Sequence, residues 1–174
     1  MTAPIVVLDI DGVLADVRHR LHYVATGRKN WAAFFAASAG DDVLQEGAEF
    51  ARRAASTHDV VYLTGRPERL RAATQLWLDQ HELPPGRLVM HGEHDHRPSA
   101  VVKVRELRRL RRESTVALLV DDNLAVIEAA RAAGFTVQLA TWMPRTVDGH
   151  ETHSDDGLFS VDVLHDAQEV EGRS

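Results

Sequence analysis

The sequence predicts an α/β protein built on a doubly wound, Rossmann-like parallel sheet. Three observations predict it. Short aliphatic runs recur: Ile5-Val6-Val7-Leu8, Val60-Val61-Tyr62-Leu63 and Val116-Ala117-Leu118-Leu119-Val120. Such runs, bounded by polar residues, are the pattern of strands buried on both faces. Segments of helical periodicity separate them, and strands alternating with helices wind into a parallel sheet. Each run also stops on residues that handle phosphate and metal, namely Asp9-Ile10-Asp11-Gly12, Thr64-Gly65-Arg66 and Asp121-Asp122. Ligands of open α/β sheets sit at the carboxyl ends of strands, so the three tips are expected to converge.

In chain order, the first strand runs from Ile5 to Leu8. Val13 to Gly40 has no single period, but Trp31, Phe34 and Phe35 stand at helical spacing. This predicts a short helix pinned by its aromatic residues, with stacking on a base as their other use. Glu46 to His58 reads as a helix leading to the strand Val60–Leu63. Pro67 suits the first position of a helix running to about Gln80, in which Trp77 and Leu78 are core. Leu88 to Met90 is a short strand. Ser99 is a plausible N-cap for a helix reaching Arg112. The strand Val116–Val120 follows, then a helix from Leu124 to Ala133 ended by Gly134, then a strand from Thr136 to Ala140. From His150 the chain turns acidic and loses periodicity. The reading is one domain over 1–149 with a small insert at about 15–45, and an acidic tail over 150–174.

Composition sets limits on function. At 174 residues the chain is long enough to bury a sizeable core, and 44% hydrophobic with 26% charged residues is usual for a globular protein. A net charge of -6 makes any nucleic-acid contact a local one. The absence of cysteine excludes a disulfide scaffold, a thiol nucleophile and a cysteine-bound zinc. The first strand starts so early that no signal peptide is expected, and no apolar stretch nears the roughly 18 residues of a membrane span. A cytoplasmic protein without membrane contact or obligate protein partner is expected.

Asp9 and Asp11 are two positions apart, and the turn allowed by Gly12 can bring both into one crevice. Two carboxylates with different roles fit phosphoryl transfer: one attacks phosphorus, the other moves a proton. A cation is needed to offset the repulsion of phosphate. Mg²⁺ suits this, with Asp121 and Asp122 completing its carboxylate ligands. Either acidic pair alone is equally a helix cap or turn. Thr64 and the glycine-freed backbone at Gly65 can hold phosphate oxygens, although Thr64 alone reads as a simple cap. Lys103 is the only lysine besides Lys29. It can neutralise a phosphorylated carboxylate as a point charge or stand on a solvated helix face.

The set Asp9-Ile10-Asp11-Gly12-Val13, Thr64, Lys103 and Asp121-Asp122 resembles the four-motif signature of the haloacid dehalogenase superfamily over about residues 4 to 141. The resemblance implies that fold, with a minimal cap. It implies Asp9 as nucleophile, Asp11 as general acid/base, and Thr64 and Lys103 as phosphate ligands. It implies Mg²⁺ held at Asp9, the Ile10 carbonyl, Asp11 and the Asp121-Asp122 pair. Aspartate at position 11 is typical of members that hydrolyse phosphate esters. Within the superfamily the chain is most similar to the 3′-phosphatase domains of bacteriophage polynucleotide kinase-phosphatases. Arg20, the Thr64-Gly65-Arg66 triplet, and the run Leu88-Val89-Met90, Arg97, Val101-Val102-Lys103 carry that likeness. It implies that Arg20, Gly65, Arg66 and Arg97 lie near the substrate phosphate. Val13, Ser99 and Asn123 depart from the pattern, which has threonine, an acidic residue and an arginine there. No phosphate-loop motif of a kinase half occurs.

The expected activity is Mg²⁺-dependent hydrolysis of phosphomonoesters through an aspartyl-phosphate, on DNA or RNA 3′ ends. A 5′-nucleotidase or small-metabolite phosphatase is the alternative enzyme. A catalytically idle binder of phosphorylated ligands is the alternative from another class, against which the second aspartate argues. Two other clusters are weighed and set aside. The basic residues from Lys103 to Arg112 flank a stripe of Val104, Leu107 and Leu110, and read as a solvated face rather than a nucleic-acid track. His91, His94 and His96, with Glu93 and Asp95, lack the spacing of a zinc site.

Overall fold

The structure is a computed structural model describing residues 3–25, 27–147 and 150–152, the last from 145 onward as backbone alone. In chain order its elements are β1 (Ile5–Leu8), β2 (Ala15–Asp16), α1 (His22–Ala25), α2 (Trp31–Ala36), β3 (Asp42–Val43), α3 (Gln45–Ala55), β4 (Asp59–Pro67) and α4 (Arg71–Gln80). There follow β5 (Gly86–His91), α5 (Ser99–Glu113), β6 (Val116–Asp121), α6 (Leu124–Ala132), β7 (Val137–Leu139), β8 (Arg145–Val147) and β9 (His150–Thr152). Five strands form one parallel sheet in the order β5-β4-β1-β6-β7. The chain leaves β1 toward β4 and β5, then crosses back to β6 and β7. That reversal places the switch point, and hence the ligand crevice, at the carboxyl end of central β1.

Alternation along the strands divides the core. Val6, Leu8, Val60, Tyr62 and Val120 face one layer with Ala48 and Ala51 of α3 and Trp77 and Leu78 of α4. Val7, Val61, Leu63 and Leu119 face the other, with Val104, Leu107 and Leu110 of α5 and Val126 and Ala130 of α6. Both faces are apolar, so the strands read as uninterrupted hydrophobic runs. The pairing Val6↔Val60 and Val6↔Leu118 keeps residues of one layer side by side.

The insert hangs from a two-residue antiparallel ribbon, with Ala15 opposite Val43 and Asp16 opposite Asp42. It has its own small core of Val17, Val24, Trp31, Phe34 and Phe35. The aromatic trio therefore packs inward, as a pin.

Three local expectations are corrected. Pro67 ends β4 rather than opening a helix, since strand pairing resumes at Pro67↔His91 after an irregularity beyond Leu63. A 3₁₀ turn over Glu68–Leu70 then leads into α4. Ser99 is the first helical residue and makes no capping bond; Pro98 occupies the N-cap. Its carbonyl accepts from Val101 and Val102, while its ring leaves no N–H to satisfy. The stretch without a single period holds, besides the expected short helix α2, the further helix α1 and two 3₁₀ turns. Apart from 150–152, the acidic tail lies outside the described residues.

Candidate active site

Asp9 follows the last residue of β1, Asp121 ends β6, and Lys103 reaches them from the second turn of α5. Lys103 Nζ lies 2.8 Å from Asp9 Oδ2 and 2.7 Å from Asp121 Oδ2. Asp121 Oδ1 accepts from the Asn123 N–H at 3.0 Å, so both of its oxygens are engaged. Asn123 in turn caps α6, accepting from the Ala125 and Val126 N–H groups. This is the use found here for the position where the phage-like pattern has arginine. Asp122 differs: its Oδ2 is buried and has no hydrogen-bond partner. Ligand oxygens of Asp9, Asp121 and Asp122 lie within 4.8 Å of one another.

Asp11 stands in a second cluster. Its Oδ1 accepts from Arg20 Nη2 at 2.8 Å, Arg66 Nε at 2.9 Å and Arg66 Nη2 at 2.6 Å. Both guanidinium groups also reach Asp41, which sequence reasoning missed. Arg20 binds it through Nε and Nη2 at 2.7 Å each, and Arg66 through Nη2 at 2.7 Å. Phe34 lies under the Arg20 guanidinium at 4.2 Å, and Trp77 faces Arg66 at 5.6 Å. Trp77 is thus core on one side and a wall of the arginine pair on the other.

The electrostatics follow from burial. Asp9, Asp11, Asp41, Asp121, Asp122, Arg20, Arg66 and Lys103 are all buried. Five carboxylates face three cations, so the set when fully ionised would carry two excess negative charges. Burial, reinforced by Asp121 and Asp11 and opposed by Lys103, pushes Asp9 up to about 7. Burial next to Asp121 and Asp9 pushes Asp122 well above the usual carboxylate range. For Asp11, burial acts upward, but Arg20 and Arg66 outweigh it and hold the group at about 2. Lys103 goes up: burial opposes its charge, and Asp121 and Asp9 more than restore it.

Other expected site residues fall into place unevenly. Thr64 is buried within β4, where the pairing turns irregular after Leu63, and its Oγ1 accepts from the Arg66 N–H at 3.2 Å, with Gly65 between them. Arg20 and Arg66 turn their donors to Asp11 and Asp41 rather than to open space. Arg97 does not join the cluster; it pairs with Asp95 through Nε at 2.7 Å and Nη2 at 2.6 Å, half exposed. The Ile10 carbonyl accepts the N–H groups of Val13, Leu14 and Ala15 at 3.2, 2.8 and 2.9 Å. Its lone pairs therefore close the turn, which corrects the expectation that it faces a metal. In the Gly92–Arg97 loop Glu93 pairs with Arg69, and Asp95 with Arg97 and Arg105. Arg105 and Arg109 on α5 pair with Glu106, as a solvated face would. Among the described residues no helix is long and apolar enough to cross a membrane.

A five-stranded parallel sheet with paired aspartates at the β1 tip, a lysine bridging to the β6 tip and a threonine on β4 defines a phosphohydrolase of the haloacid dehalogenase type. Residues 3–141 match the family model of the polynucleotide kinase PNKP phosphatase domain, and the chain belongs to that family. It is a hydrolase of phosphoric monoesters. No curated protein matches it. Among solved structures, a Pnkp1/Rnl/Hen1 complex is similar at 21% identity and a TM-score of 0.67, over 80% of this chain and 45% of that one. The Pnkp1/Rnl/Hen1 RNA repair complex is similar at 21% identity and 0.66, over 79% and 42%. This chain therefore spans less than half the length of those two. A haloacid dehalogenase-like family hydrolase from Xanthomonas campestris shares the fold at 13% identity and a TM-score of 0.53, over 99% of each chain.

Proposed function

We propose that the chain is a Mg²⁺-dependent phosphomonoesterase that removes 3′-phosphates from nucleic-acid ends through a phosphoaspartate on Asp9. The observation that carries this reading is the division of labour between two carboxylates two positions apart. Asp9 lies against Lys103 and the Asp121-Asp122 pair; Asp11 lies against two arginines.

The residues present fit a hard divalent ion. Two excess negative charges, an unpartnered buried Asp122 Oδ2 and a glycine at position 12 that leaves room beside it are what such an ion requires. Asp9, Asp121 and Asp122 would hold it, and when bound it supplies charge neutralisation for the carboxylates and the phosphoryl oxygens. Lys103 places a second positive charge on Asp9, on the side shared with Asp121. Thr64 Oγ1 and the irregular backbone after it would offer donors to the phosphate.

In the first step an Asp9 oxygen forms a bond to phosphorus while the bond to the ester oxygen breaks. Asp11 hands that leaving oxygen a proton. Because Asp11 is held at about 2, it is ionised at rest, and the proton arrives with the substrate as its monoanion. In the second step Asp11 takes a proton from water, the water oxygen bonds to phosphorus, and the bond to Asp9 breaks to release inorganic phosphate. The family match supports nucleic-acid ends. Acid quenching during turnover of a substrate labelled in its phosphate tests the covalent step. Label on the wild-type chain, removable by hydroxylamine and absent from Asp9→Asn, is expected; label on both or neither contradicts it.

A further inference from the structure

Asp41 closes the insert, immediately before β3, and its side chain is fully buried. Its Oδ1 accepts from Arg20 Nε, and its Oδ2 accepts from Arg20 Nη2 and Arg66 Nη2, all at 2.7 Å. The same two Nη2 atoms donate to Asp11 Oδ1, at 2.8 and 2.6 Å. Each Nη2 carries two hydrogens, so each spans Asp41 and Asp11 with one hydrogen apiece. Asp41 is itself held from three directions. The Trp77 indole N–H of α4 donates to its carbonyl at 2.8 Å. Its own N–H donates to Ser38 at 3.3 Å. His19 Nε2 lies 2.7 Å from Oδ1.

All three arginine hydrogen bonds to Asp11 end on Oδ1, which leaves Oδ2 as the oxygen for proton transfer. Arginine side chains are long and lose much rotamer freedom when ordered. A planar fork fixed by one carboxylate can present a remaining N–H to another in a set direction. We infer that Asp41 is a positioning residue, which fixes Arg20 and Arg66 so that both converge on Asp11 and aim its carboxyl at the leaving oxygen. The inference rests on the reading of Asp11 as proton carrier. It also gives the insert a chemical task, because Arg20, Phe34 and Asp41 all belong to it.

The test is leaving-group dependence. A 3′-phosphorylated oligonucleotide has an alcohol leaving group that needs a proton, and p-nitrophenyl phosphate has an acidic one that hardly does. The ratio of kcat on the two esters is internal to each protein, so an inactive fraction cancels. Asp11→Asn is expected to lower kcat on the oligonucleotide by at least about 10²-fold, and on the aryl ester far less. Asp41→Asn is expected to follow the same pattern at about 10²-fold or below, and the double variant to be no worse than Asp11→Asn. Asp41→Glu keeps the charge and displaces it by one methylene, so it should show the pattern even if Asp41→Asn folds poorly. Equal losses on both esters in the Asp41 variants would overturn the inference while leaving Asp11 its role. Equal losses in Asp11→Asn would remove the proton-carrier reading, and the inference with it.

Discussion

Gly12 is the residue whose missing side chain makes room for Asp122. A Cβ at position 12 would lie 2.1 Å from Asp122 Oδ2, and the glycine backbone is in the left-handed region at φ +76°. Gly12→Ala therefore meets two penalties: the left-handed backbone costs an L-residue about 1–2 kcal/mol, and the Asp122 carboxylate must move. Loss of more than about 2 kcal/mol in chemical denaturation is expected, with Mg²⁺ binding by calorimetry weakened at least tenfold.

Asp122→Asn should separate binding from folding. The carboxylate's Oδ2 is buried without a hydrogen-bond partner, and burial beside Asp121 and Asp9 disfavours its charge. Replacing it relieves that repulsion in metal-free protein. A gain of about 1 kcal/mol is expected, a rise in Tm of about 2–4 °C at this chain length. The stabilisation that Mg²⁺ gives the wild type should vanish in the variant.

Metal binding should release protons. Asp9 stands at about 7 in the fold against 3.8 unperturbed. A raised group contributes stability that is full below 3.8 and lost as pH rises through about 7, so metal-free protein is expected to weaken over that window. The ion needs the ionised form. Mg²⁺ affinity is therefore expected to rise severalfold from pH 6 to 8, with proton release visible when calorimetry is repeated in buffers of different ionisation enthalpy.

Asp11 behaves oppositely. Its folded value of about 2 lies below 3.8, so its pairing with Arg20 and Arg66 contributes stability above 3.8, lost as pH falls through about 2. The shift corresponds to about 2 kcal/mol at neutral pH. Urea unfolding should show Asp11→Asn less stable than wild type at pH 6, with the gap closing as pH falls below 4.

The reach of the sequence is clearest at the strands and their tips. Leu8, Leu63 and Val120 are apolar because both sheet faces are covered, and the polar residues that follow them stand out. Lys103 was legible as one of two lysines. Asp41 was not: nothing local marks an aspartate before an aspartate, and its partners lie 21 and 25 positions away. Gly47 was equally silent, although a Cβ there would meet the Val13 carbonyl oxygen at 1.9 Å and hold α3 off the Asp9 loop. The start of α4 was misplaced because Pro67 fits both a helix start and an edge of extended chain, and pairing with His91 decides for the latter. Arg20 and Arg66 stand out in the sequence only as arginines after the first and second predicted strands; their carboxylate partners, Asp11 and Asp41, are set by tertiary structure alone.

The central claim is tested most directly by Mg²⁺-dependent phosphate release from a 3′-phosphorylated oligonucleotide, a 5′-phosphorylated one and mononucleotides, with Asp9→Asn as blank. Selective release from the 3′ end, abolished in the blank and by chelation, is the predicted result. Equal or faster release from mononucleotides, or release that survives Asp9→Asn, would contradict it.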